Sequence, residues 1–536
     1  MIRTFLGRDG VLCLLLGLVF TAASAQAQYV ERLSVDSIGG EASSGSSLGG
    51  ISVDGRTVVF TTQSALVPQD QNSTVDVYVR DRAAGTLTLV SVAHDGADAG
   101  AHCLDAKISS NGRFVIFAST SNTLTPGDSD SNQDVFLVDR EVGSIELVSI
   151  PPSGAEFTHA HSFGGVSDDG RYVVYLGEFS GPDFQVFIRD RLFGITSLVS
   201  KSTQGLLPNG LSQQPFITAD GGRVFFKSWA TDIVDSDDNG SESSIFVYET
   251  ITKSNALVMG GSQPGHGFSL YAVSRNGSWL AFDTQDALLI DDPNSRRNVY
   301  RYELSSSQLD LVGGSRVGDS QTFGPSVSED GQRVTFRTNE VWHPSDDNIG
   351  VQDVYVWDYD QAVALLVSSD VYGNAQDAPG GTSFISGSGE EVVFQAKASN
   401  LVPGDLNGVE DVFVHDLTPR PWLVGFLTPG SPLDIWTRHL VGRNSETCQV
   451  VLSCSGTAGI PVPGGFTLPL TFDVCTSLSL SLGVLLRGIV LDERATLTAP
   501  LVWPTVPAGQ SLYFAGFTFS PGGVTSVTGV NQIVTP

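Results

Sequence analysis

Basic side chains are scarce in this sequence: 29 lysines and arginines stand against 58 aspartates and glutamates over 536 residues, a formal net charge of −29. A surface of that sign repels nucleic acid and anionic membrane and attracts cations or basic partners. Long apolar runs are scarce too. "VLCLLLGLVFTAA", near the start, is too short to span a bilayer as a stable helix, and no later run reaches spanning length, so no membrane span is expected. Several catalytic signatures are missing: a G-x-S-x-G nucleophile turn, a phosphate-cradling glycine loop, an HExxH pair, and any cysteine spacing suited to zinc. Carboxylates are too plentiful to nominate a glycosidase pair. What is abundant is glycine, 59 residues, while charged residues make up only 16%. That balance suits an all-β chain rich in turns.

The first residues have the layout of a secretory leader. Arg3 and Arg8 flank the apolar run, and "ASA" and "AQA", ending at Ala25 and Ala27, are cleavage-like. Residues 1–25 are expected to be a signal peptide, which makes the protein exported, periplasmic or extracellular. No lipobox precedes Cys13. Of the remaining cysteines, Cys103, Cys448, Cys454 and Cys475, the last three permit a disulfide in an oxidising compartment. Cys448 and Cys454 lie six apart in an apparent strand, beyond bonding reach. Cys454 and Cys475 flank a plausible hairpin turn at "VPGG" and are the favoured pair.

Internal repetition dominates the chain after the leader. "ISVDGRTVVF" starts at Ile51, "ISSNGRFVIF" at Ile108, "VSDDGRYVVY" at Val166 and "ITADGGRVFF" at Ile217; "VSRNGSWLAF", "VSEDGQRVTF" and "ISGSGEEVVF" start at Val273, Val327 and Ile385. Each copy predicts a short strand, an Asp-Gly or Asn-Gly turn, an alternating second strand, a polar loop and a third strand such as "DVYVRD". A fourth strand such as "TLTLVSV" completes it, and four antiparallel strands per copy make a propeller blade. After the seventh third strand, "DVFVHD", the chain breaks into "LTPRP" and lacks a fourth strand. "VERLSVDSIGGEASSG", from Val30, matches the fourth strands together with the links that lead out of them. The N-terminal strand should therefore complete the last blade and remove the exposed edges. The expected fold is all-β: a seven-bladed β-propeller over 29–418, closed by its N-terminal strand.

The pairing of "S-x-D-G-R-x-V-x-F" with "D-V-Y-V-x-D" resembles the TolB-type, WD40-like propeller repeat of exported bacterial proteins. That resemblance implies the fold and leaves activity open, because propellers host unrelated functions. From Trp422 the acidic loops stop, and residues 419–536 carry equal numbers of arginines and acids, so the excess negative charge sits in the repeats. Short strands with Pro-Gly turns there suggest a small C-terminal β-sandwich over 422–536, resembling modules on other exported proteins, which packs on the propeller or serves attachment.

The loops between second and third strands concentrate the acid. They read "PQDQNSTVDV" (Asp70, Asn72, Asp76), "PGDSDSNQDV" (Asp128, Asp130, Asn132, Asp134) and "PGDLNGVEDV" (Asp405, Asn407, Asp411). "PSDDNIGVQDV" adds Asp346, Asp347, Asn348 and Asp353, while two other loops are degraded and the third repeat has almost none. Calcium takes six to eight oxygens, and alternate Asp and Asn side chains on a tight loop can supply several. The competing explanation is turn closure by Asp and Asn accepting backbone N–H groups. Calcium is the only cofactor expected.

His102, His159, His161 and His266 fall in links between blades, where a cluster could hold a transition metal, but His102 and His266 belong to blades far apart, and surface or capping roles are the favoured expectation. The functional expectation is a non-enzymatic binding or scaffold propeller, with a protein or glycan ligand over the face bearing the inter-blade links. The alternatives are a metal-dependent hydrolase or lyase at the channel mouth, and a structural protein of the cell envelope.

Overall fold

The computed structural model describes residues 29–417 apart from 129, 153–156, 158, 179–182, 236–241, 261–266, 270, 290–295, 313–321, 347–349 and 371–372, together with eight short strands between 432 and 534. Gln28–Pro419 form one compact unit. The leader lies outside the described residues. So does most of 422–536, with Cys454 and Cys475; Thr447–Ser453 there pairs antiparallel with Ser511–Ser520.

Seven four-stranded antiparallel sheets follow one another along Gln28–Pro419. The first is Ser46–Ile51, Thr57–Thr62, Asp76–Asp81 and Thr86–Leu89, innermost to outermost. The last is Gly380–Ile385, Glu391–Ala396 and Asp411–Asp416, and its outer edge is filled by Tyr29–Arg32. The register pairs Tyr29 with Asp416 and Arg32 with Phe413. The first strand thus latches the ring, as the missing fourth strand required.

Second strands such as "TVVFTT" are buried at every position because a neighbouring blade covers each face. Every blade repeats one cross-strand aromatic pair between its second and third strands, from Phe60–Tyr78 at 5.8 Å and Phe117–Phe136 at 5.9 Å to Phe394–Phe413 at 5.6 Å. Directly opposed aromatic pairs contribute about 0.5–1.5 kcal/mol each beyond their burial.

The repeated Ser-x-Asp-Gly is a turn device. In the first copy the Ser52 hydroxyl donates to Asp54 at 2.6 Å and accepts the Thr57 N–H at 3.0 Å. Gly331, at φ +69° in the sixth copy, has the Trp279 ring where a Cβ would stand, so only glycine fits. These turns are also joined from blade to blade. Val53 N–H donates to Ser110 O at 2.7 Å, Asp168 to Ala219 at 2.8 Å, Ala219 to Arg275 at 2.8 Å, Glu329 to Gly387 at 3.0 Å and Gly387 to Val53 at 2.9 Å. The other two junctions use side chains. Asn111 donates its N–H to Asp168 Oδ1 and its amide to Asp168 O, at 2.9 and 2.8 Å. Asn276 does the same to Glu329 Oε2 and Glu329 O, at 3.0 and 2.9 Å. The result is a closed belt around one end of the hub.

Candidate functional site: acidic loops and the hub cavity

The acidic loops share one architecture and differ in how their charge is met. In four blades the aspartate that opens the third strand is tied to a serine just beyond a fourth strand. Ser91 donates to Asp76 at 2.6 Å, Ser149 to Asp134 at 2.5 Å, Ser368 to Asp353 at 2.7 Å and Ser34 to Asp411 at 2.5 Å. The same hydroxyls accept the next N–H, as Ser91 does from Val77 at 3.0 Å. Turn and strand closure therefore accounts for these four aspartates as architecture.

The first aspartate of each loop is where the blades diverge. In blade 1 the Tyr78 hydroxyl donates to Asp70, and in blade 6 Tyr355 donates to Asp346 at 2.5 Å. In blade 7 the tyrosine position is Phe413, and Arg32 of the latch strand comes in instead. Its Nη1 lies 3.1 Å from Asp405, 3.8 Å from Asp411 and 2.7 Å from Glu41. Asn407 donates to Asp411 at 2.8 Å. The guanidinium thus occupies the place between the loop's carboxylates.

Blade 2 has neither device. Phe136 and Leu147 stand at the tyrosine and arginine positions. Asp128, Asp130 and Asp134 present carboxylate oxygens that all lie within 4.8 Å of one another, the one such group among the described residues. Asn132 lies beside them, its backbone N–H donating to Asp130 Oδ1 at 2.7 Å and its side-chain amide to Asp130 Oδ2 at 3.2 Å. Burial, with the neighbouring Asp130 charge, raises the Asp128 carboxyl above its ordinary value against the opposing Asp130 N–H. Carboxylates this close repel unless a cation or proton joins them, and their oxygens are the donors a hard divalent ion takes. In blade 1, Asn72 accepts from the Thr74 N–H at 2.5 Å, and Asp70 Oδ1 and Asp76 Oδ2 are buried without a hydrogen-bond partner. Those two oxygens leave blade 1 a poorer version of the same cluster.

Burial also pushes Asp353 up to about 7, with Ser368 opposing and the Asp346 charge adding. The folded chain then holds a proton there that the unfolded chain has released, so stability should fall as pH rises from about 4 to about 7. Asp353→Asn is expected to flatten that fall in urea melts and to gain about 2 kcal/mol at pH 8, allowing for solvent screening. An unchanged slope would refute this account of the strand-opening aspartates.

The second feature is a hub cavity of about 550 Å³, walled by the innermost strands of the ring. All of these strands except the short Tyr271–Val273 carry a bulge between their pairing residues and the second strand. Two bulge residues, Asp105 and Gln214, take left-handed φ values of 55° and 50°. His161 lines the cavity, between Asp105 Oδ2 at 3.3 Å and the Gln133 amide at 2.8 Å. His159 instead is 58% exposed and pairs with Glu178, and His102 accepts the Val75 N–H at 2.9 Å. His266 lies outside the described residues. Among the described histidines, then, only His161 faces the hub, and none joins a group able to share an ion.

No family model and no curated relative matches the sequence. Solved structures do resemble the fold. One is the putative TolB of Agrobacterium tumefaciens, 16% identical, covering 50% of this chain and 79% of its own, at TM-score 0.33. TolB of Acinetobacter baumannii is 13% identical over 58% of this chain and 63% of its own, at TM-score 0.36. The propeller domain of the Trilobed protease of Pyrococcus furiosus is 12% identical over 69% of this chain and 95% of its own, at TM-score 0.44. In fold the chain is a seven-bladed β-propeller, and no helix among its described residues is long and apolar enough to cross a membrane.

Proposed function

We propose that the protein is an exported binding scaffold that takes its ligand at the propeller hub and is stapled by calcium in the acidic loop of blade 2. The observation that carries the binding role is the hub cavity, framed by a belt that links all seven blades. Export rests on the leader-like residues 1–25. Calcium rests on the contrast among loops: hydroxyl, guanidinium or nothing built in. Asp128, Asp130, Asn132 and Asp134 would hold the ion, with Asp70, Asn72 and Asp76 a weaker second set; Asp405, Asn407 and Asp411 already share Arg32.

Thermal melting in millimolar calcium, set against a chelator, tests the staple. An ion at a hundred times its Kd stabilises a fold by about 2.7 kcal/mol, so a rise of several degrees is expected. Asp130→Asn should remove most of the rise while leaving the melting point in chelator nearly unchanged or slightly higher. Equal melting points with and without calcium would overturn the proposal.

A further inference from the structure

The hub cavity holds a cation that no carboxylate among the described residues contacts in an ion pair. Lys107, on the bulged inner strand of blade 2, lines it. Its Nζ donates to Gly49 O at 3.3 Å and lies 5.7 Å from the Phe384 ring centre, and it enters no ion pair among the described residues. Arg275 is different. It reaches across the hub from blade 5 to Ile108 O at 3.5 Å and feels two carboxylates, Asp168 and Glu329, whereas Lys107 feels one, Asp105, against the opposing charge of Arg275 itself. A second group is also unanswered: Gln214 Oε1 is buried at the wall with no hydrogen-bond partner. Between these polar points the wall is Phe163, Phe184, Phe216 and Phe384.

An ammonium among aromatic walls is costly to leave without an anion, and a buried acceptor is costly to leave without a donor. Together they describe a guest with one negative group, one hydrogen-bond donor and an apolar body between. A volume near 550 Å³ is in the range of small-molecule sites. One unpaired cation matches one negative charge; a dianion would carry uncompensated charge into the aromatic wall.

We propose that the hub binds a small aromatic or aliphatic carboxylic acid bearing a hydroxyl or amide donor, its carboxylate on Lys107 and its donor on Gln214. This names the ligand class for the binding role proposed above and rests on it. Arg275 serves the belt, and Tyr271, whose hydroxyl donates to Gln214 O, fixes the Gln214 backbone.

Calorimetric titration of the full chain with 4-hydroxyphenylacetate and with the matching neutral amide, 4-hydroxyphenylacetamide, tests the assignment. The acid should bind about tenfold more tightly than the amide, the usual worth of a hydrogen bond to a charged group. Lys107→Met should erase that preference and keep amide binding, and Lys107→Arg should preserve it. Equal binding of acid and amide by the unaltered chain, which needs no variant, would overturn the carboxylate assignment and leave hub binding standing. An acid preference that survives Lys107→Met would overturn the role of Lys107. Binding of neither by a chain that melts cooperatively would overturn both this assignment and the hub-binding role.

Discussion

A chain lacking residues 29–35 should lose its cooperative melt. Tyr29–Arg32 is the outer strand of blade 7, and its removal bares the whole edge of Asp411–Asp416. Val30 and Leu33 leave the core, and Ser34 leaves Asp411. Burying two aliphatic side chains is worth about 1.5–3 kcal/mol each, before the ladder bonds are counted. An unpaired edge beside an all-buried second strand is also a template for aggregation. The expected outcome is a loss of more than about 5 kcal/mol, with oligomers appearing in size-exclusion chromatography. A monomer melting within a few degrees of the full chain would show that blade 7 is held by other contacts.

The second large effect is expected at one residue of that strand. Arg32→Leu leaves Asp405 and Asp411 together, only 4% and 0% exposed, without their cation. Removing one partner of a buried pair costs about 3–5 kcal/mol, because the other charge stays behind. The variant would also copy blade 2, which has leucine at this position and phenylalanine in its third strand. Its loss of stability should therefore be partly recovered by millimolar calcium, and by more than the same calcium stabilises the unaltered chain. Denaturant melts with calcium and with chelator read both effects. A loss that calcium leaves untouched would separate loop 7 from any cation site.

The contrast between these loops explains how far the sequence could be read. Blade number, strand order and the latch were legible because each was written several times over, and the one missing fourth strand pointed to its replacement. The acidic loops were legible as a set. What set them apart was not, because it lies on other strands: Arg32 stands where the other blades carry leucine in the fourth strand, and Tyr78 and Tyr355 alternate with Phe136 and Phe413. Those single substitutions were visible in the alignment of repeats, but their meaning needed the strands side by side. Lys107 was hidden for another reason. The bulge between Leu104 and Lys107 breaks the alternation of faces, so counting residues along the strand cannot say which side chains meet the hub. The histidines were misleading for a different reason: they share a face of a regularly paired stretch, but His159 is the strand's first residue and pairs with Glu178. His159 and His161 sit two apart and suggested a shared site, yet only His161 lines the cavity.

The belt at the end of the hub has a mechanical consequence. Five of its junctions are main-chain bonds and two are made by side chains, Asn111 with Asp168 and Asn276 with Glu329. These are the two copies whose turn reads Asn-Gly, and the acid lies one blade later in each. Main-chain bonds fix the spacing of neighbouring blades, whereas a carboxylate arm can lengthen by rotation about its own bonds. The hoop is therefore stiff along blades 3 to 5 and again from blade 6 through blade 7 and blade 1 to blade 2, with compliance gathered at two seams. Arg275 feels the acid of both. Widening the hub to admit a guest would cost least as a hinge-like parting of these two arcs, with one guanidinium serving as the clasp between them.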